Sequence, residues 1–190
     1  MAQAMASPRA RAPTRKETEL MRSLFNRWRS PRNDIQPLYT TLVAEARRPG
    51  WYVEGGVGDT IDGRFAVLAT LVALAILRLE DGSDDAVRGS VALTESFIAD
   101  MDAQMREEGF GDPSVGKQVR SMVGALASRV DRWRHARGGE IEWADAVRFS
   151  IYRDEPPADS AATFSGEALQ RFDQRLADAA DDAVLKGEFS

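Results

Sequence analysis

The chain contains no cysteine and a single histidine, His135. Without cysteine there is no disulfide framework and no thiolate metal site. One histidine, set among Arg132, Arg134 and Arg137, reads as part of a solvated helix end. No cluster of histidine with carboxylates has metal-ligand spacing, which argues against a transition-metal centre. Aromatic residues make up only 8% of the chain. Strand-like alternation and hairpin signals are missing, so the expectation is an all-α protein. The longest apolar run, residues 65–77, spans thirteen positions. That length reaches only about 20 Å as a helix, short of a bilayer core of about 30 Å.

Acids outnumber bases outside the first residues. The formal net charge is −5, yet residues 1–16 hold Arg9, Arg11, Arg15 and Lys16 with no acid, leaving the remainder at −9. Net acidity argues against DNA as a partner. Residues 1–16 also lack a secretory apolar core and read as a flexible basic arm. An inert tail and an arm that touches a membrane or ribosomal RNA both fit.

What is present is helical periodicity. Residues 17–28 carry Leu20, Met21, Leu24, Phe25 and Trp28 on one face, and 30–34 read as a linker. A helix follows over 35–47, with Pro37 in its first turn. Trp51-Tyr52-Val53 reads as an extended or turn segment. Residues 60–79 form the central helix, apolar on every face between 65 and 77, which demands burial. Further helices are expected to 108, over 113–137 and over 140–152. In the first of these, Val87, Val91, Thr94, Ile98, Met101 and Met105 form the expected stripe. In the second, Gly124, Ala125 and Ala127 suggest a tight crossing. Residues 154–165 read as a linker and about 166–186 as a last helix. From residue 154 onward nine acids face three cations, so this end reads as a weakly attached or separately docking appendage. The expected fold class is thus a single compact helical domain of about five to six helices. Its divisions are a disordered arm (1–16), an amphipathic helix and linker (17–34), the domain (35–152) and the acidic appendage (153–190).

One pattern occurs twice: Gly56-Val57-Gly58-Asp59-Thr60-Ile61-Asp62-Gly63-Arg64 and Gly109-Phe110-Gly111-Asp112-Pro113-Ser114-Val115-Gly116-Lys117. Each copy precedes an apolar-periodic run. Asp59 and Asp112 suit the N-cap, where a carboxylate accepts from free amides at the positive end of the helix dipole. Gly63 and Gly116 cost a helix about 1 kcal/mol each relative to Ala, which a close backbone approach would offset. The inference is two helix starts packed together. The second copy also fits the spacing of a phosphate loop. Gln118 stands where Ser or Thr would hold magnesium, and a helix precedes it instead of a strand, so a structural cap is the better reading.

The residues around these turns resemble the ubiquinol–cytochrome c chaperone family. Leu38-Tyr39, Ala46-Arg47-Arg48-Pro49-Gly50-Trp51-Tyr52 and the first turn through Phe65 are similar to its opening block. Leu93, Asp100-Met101-Asp102, Met105-Arg106-Glu107 and the second turn are similar to its second block. The chain departs from the family's usual pattern at Gly58, Ala69-Thr70-Leu71 and Ala127-Ser128-Arg129. The resemblance implies an assembly factor, not an enzyme, and no cofactor. It implies newly made cytochrome b as client, a small partner chaperone, and a location in the cytoplasm at the inner membrane or in the mitochondrion. The residues expected at a client site are Trp51, Tyr52, Asp59, Arg64, Asp102, Arg106, Asp112 and Lys117. The alternative for the charged ones is that they only cap helices and pair with each other.

Overall fold

The computed structural model describes residues 35–107, 112–153 and 155–189, and of 112–117 the backbone alone. The expected basic arm, the amphipathic helix over 17–28, the linker over 30–34, the turn at Gly109 to Gly111 and the side chains of Asp112 and Lys117 lie outside the described residues. Among the described residues there are eight helices and no strand. The all-α expectation holds, with more helices than the five to six expected because two are very short.

Helix α1 (Gln36–Ala46) begins with Pro37 in its first turn and buries Leu38, Tyr39, Leu42 and Ala46. Their spacing of three and four puts them on one face. Helix α2 (Gly50–Val53) is a single turn, so of the two expected forms, extended or turn, the segment takes the turn. The backbone closes because Tyr52 and Val53 amides both donate to the Pro49 carbonyl, at 3.0 and 2.9 Å. The aromatic rings then fasten it to α1. Trp51 Nε1 donates to the Glu45 carbonyl (2.9 Å) and the Tyr52 hydroxyl to the Ala46 carbonyl (2.8 Å).

Helix α3 (Ile61–Glu80) is the axis of the domain. It buries every residue from Ala66 to Leu77, and Leu79. A helix apolar all round must be surrounded. Helices α1, α4, α5, α6 and α7, whose bounds follow, surround it. The hydroxyl of Thr70, fully buried within it, donates to the Ala66 carbonyl at 2.7 Å, so the polar atom is satisfied inside the helix.

Helix α4 (Asp84–Glu107) departs from its expected stripe in its first half and keeps it at Met101 and Met105. Val87 and Val91 are exposed, and the buried face is Ala86, Gly89, Ser90, Leu93, Phe97, Met101 and Met105. The small residues at its start admit a close neighbour: a Cβ on Gly89 would collide with Leu185. Helix α5 (Asp112–Arg137) buries Leu126, Arg129 and Trp133. Among the described residues nothing approaches Gly124, so none of them makes the expected small-residue crossing there. Helix α6 (Trp143–Tyr152) sets the Trp143 ring edge-on to Trp133 at 4.6 Å.

The C-terminal segment belongs to the core. Helix α7 (Asp159–Asp178) starts inside the expected linker and buries Ala161, Ser165, Leu169, Phe172 and Leu176. It packs on α3 and α6. Helix α8 (Asp181–Leu185) packs on α4 and α1, and the Phe189 ring meets Phe172 edge-on, the two rings 5.9 Å apart. Arg78 of α3 donates to the carbonyls of Leu176 (2.9 Å) and Ala179 (2.6 Å) and to Asp181 (2.9 Å). Weak attachment is therefore corrected. Glu155, Asp159, Glu167, Asp178, Asp182 and Glu188 are exposed, whereas Asp173 and Asp181 pair with Arg137 of α5 and Arg78 of α3, and the apolar face of α7 recurs at intervals of three and four.

Candidate functional site

The first glycine-rich turn links α2 to α3 and shapes the surface beside them. The Val57 amide donates to the Trp51 carbonyl at 3.0 Å. Gly56 has φ of +59°, a conformation that glycine adopts without penalty. The Tyr152 hydroxyl lies 2.6 Å from the Gly55 carbonyl and 2.7 Å from Ser165 Oγ, tying the turn to α6 and α7. Burial pushes the Tyr152 hydroxyl pKa up.

Thr60, not Asp59, caps α3: its Oγ1 accepts from the Gly63 amide at 3.1 Å. Asp59 instead accepts from Arg64 Nε at 2.8 Å. That hydrogen bond holds the exposed Asp59 carboxyl below its ordinary range. The requirement for glycine at 63 comes from within the turn, since a Cβ there would collide with the Gly58 carbonyl oxygen. The expected packing of two helix starts against each other involves the second turn, outside the described residues.

A groove of about 1020 Å³ opens between α1, α2, the start of α3 and the end of α4. Phe65, Leu68, Met101, Met105 and Met122 supply its apolar lining. Val53 and Ile61 stand at its edge, 74% and 46% exposed. On the wall the Tyr39 hydroxyl donates to Asp100 at 2.7 Å, and Gln104 donates to the same carboxylate at 2.9 Å. Burial first, then the hydrogen bond to Asp100 and its charge, push the Tyr39 hydroxyl upward, so it stays a protonated donor. Methionine side chains are unbranched and polarizable, and they adapt to irregular apolar partners. A surface of this make-up can hold an apolar helix by shape and burial. Among the described residues no three His, Asp or Glu side chains converge to hold a metal ion.

The structure brings together three of the eight expected residues: Tyr52, Asp59 and Arg64 line this groove. Trp51 does not. Successive helical residues point about 100° apart, and Trp51 lines a different groove on the other side of the α1–α2 corner. Asp102 and Arg106 pair with each other at 2.8 Å on α4 and line neither groove. The side chains of Asp112 and Lys117 lie outside the described residues. Sequence reasoning missed Tyr39, Asp100, Val53, Ile61 and the three methionines as neighbours. The Met101/Met105 spacing of four was visible as a helix face, but not what it faced.

Comparison with known proteins supplies a name for this architecture. The crystal structure of the Cbp3 homolog from Brucella abortus superposes with a TM-score of 0.70 and 26% identity, over 90% of this chain and 95% of that one. No curated protein matches the chain. A family model described as ubiquinol-cytochrome C chaperone matches residues 53–190, from the end of α2 through the turn and all of α3 to α8. The chain therefore belongs to the ubiquinol-cytochrome C chaperone family.

Proposed function

We propose that this protein is a non-catalytic assembly chaperone that binds newly made cytochrome b and aids biogenesis of ubiquinol–cytochrome c reductase. Family membership supports a chaperone with a protein client. The observation that carries the client site is the methionine-lined groove with Val53 and Ile61 exposed at its edge. Exposed apolar side chains beside an apolar recess rimmed by polar residues are the make-up of an interaction surface. A segment of a membrane protein awaiting assembly offers the matching chemistry: a helix with an apolar face, shielded from water by the groove. The Tyr39–Asp100 and Asp59–Arg64 pairs border the groove and set the orientation of an entering helix. The place of action that goes with this reading is the face of the membrane where cytochrome b is inserted, with a small partner chaperone assisting.

The test is recovery of the tagged protein from its native cells, followed by mass spectrometry. Wild type is compared with a Val53→Asp/Ile61→Asp variant. Both positions are exposed, so the variant keeps its fold, which a thermal melt verifies. Cytochrome b with wild type and its loss from the variant is the expected result. Cytochrome b with both would move the client site off the groove. Its absence from both, with good recovery of bait, would overturn the client assignment.

A further inference from the structure

On the far side of the α1–α2 corner a second groove, of about 610 Å³, lies between that corner and α7. Its recessed apolar surface comes from Pro49, Trp51, Phe164 and Ala168. Around it stand three arginines, Arg48, Arg171 and Arg175, against one carboxylate, Glu45. This concentration of positive charge sits on a chain whose net charge is −5. Glu45 is shared: it accepts from Arg48 at 3.1 Å and from Arg175 at 3.1 Å. Arg171 reaches Glu167 only at 3.5 Å. Among the described residues the buried Nε of Arg175 has no hydrogen-bond partner. Each guanidinium offers five N–H donors and accepts nothing, so these three cations present far more donors than Glu45 and Glu167 can satisfy.

From this geometry we propose that the arginine-lined groove is a docking site for an acidic segment of a partner protein, an aromatic or aliphatic side chain flanked by carboxylates. The apolar side chain enters against Trp51 and Phe164, and the flanking carboxylates take the free guanidinium donors. Arginine binds carboxylates through paired N–H groups, which fixes orientation as well as adding attraction. A protein segment fits better than a membrane surface. Helices that lie on membranes project their apolar groups into the lipid, whereas here the apolar surface is recessed and Trp51 is buried. The methionine-lined groove, with Asp59, Asp100 and Glu107 against Arg47 and Arg64, has the opposite charge balance and so takes a different occupant.

The probe is an array of short peptides in which apolar residues are flanked by acids, by lysines or by neutral polar residues. Full-length wild type is compared with Arg48→Glu/Arg171→Glu and with Phe164→Ala. The two arginines are 64% and 63% exposed, and Phe164 is only half-buried, so both variants fold, as thermal melts check. Wild type is expected to retain acid-flanked peptides selectively. The charge reversal should weaken them about tenfold or more, as expected for groups that hold a partner by charge, and Phe164→Ala should weaken them as well. Vesicles containing phosphatidylglycerol form the last arm. No preference for acidic peptides, equal retention by the charge-reversed variant, or arginine-dependent binding of the vesicles alone would each overturn the proposal.

Discussion

Thr60 and Asp59 are neighbours with different work at the start of α3. The Thr60 hydroxyl satisfies the Gly63 amide, one of the four free donors of the helix. Asp59 makes an ion pair with Arg64, both side chains more than 60% exposed. Caps and exposed pairs differ in magnitude. Thr60→Ala is expected to cost about 1 kcal/mol, whereas Asp59→Ala should leave stability nearly unchanged, since exposed ion pairs contribute little. Urea denaturation of the two variants decides this, and equal losses would return the cap to Asp59. At this scale the sequence showed that a helix begins beside Asp59 but could not rank two adjacent capping residues. Either can accept from the first turn, and only the backbone path settles which one does. Trp51 and Tyr52 carry the same lesson. Their adjacency suggested one site, and the single turn of α2 sends them to two.

At the scale of elements, legibility followed the amount of apolar surface. Helix α3 announced itself because thirteen residues without a polar face have nowhere to go but a core. The first half of the α4 face was not legible, because its buried residues are the small Ala86, Gly89 and Ser90, whose own bulk gives no signal, and Gly89 is covered by Leu185 of α8. The acidic composition of the C-terminal segment hid its attachment, since a charge total says nothing about which face holds the charge. One of those acids is itself a tether. Asp181 accepts from the Ser83 amide at 2.7 Å and pairs with Arg78 at 2.9 Å, joining α8 to the α3–α4 connection. The Ser83 amide first, then the Ser83 hydroxyl and the Arg78 guanidinium, bring its pKa down to about 2. An unfolded aspartate titrates near about 3.9. The folded carboxyl is therefore the stronger acid, and its contribution is complete above about pH 4 and lost as the pH falls toward about 2. Asp181→Asn should cost about 1 kcal/mol at neutral pH, the value of such contacts after solvent screening. The gap between wild type and variant should close between about pH 4 and about pH 2. Urea melts across that range check it, and a gap that ignores pH would show the charge to be irrelevant.

Over the whole molecule, one buried core supports two grooves that share the α1–α2 corner, Pro49 lining both. The corner is held by Trp51 and Tyr52 bonding back to α1, so each groove is built on the same short rigid turn. The candidate client site was legible in part, through Tyr52, Asp59 and Arg64 in the first turn. Val53, Ile61 and Met122 were not, because a groove is assembled from α1 to α5 and no local pattern reports such a meeting. The two grooves should also answer differently to salt. Attraction between guanidinium and carboxylate fades as the screening length falls from about 30 Å at 0.01 M to about 3 Å at 1 M. Apolar burial is not screened, and strongly hydrated salts reinforce it. Raising salt across that range is therefore expected to release acid-flanked peptides from the arginine groove while cytochrome b stays with the protein. Peptide anisotropy and client recovery, measured at both salt concentrations, read the two effects separately. If cytochrome b were released in parallel with the peptides, its capture would rest on charge, and the client would belong at the arginines instead of the methionines.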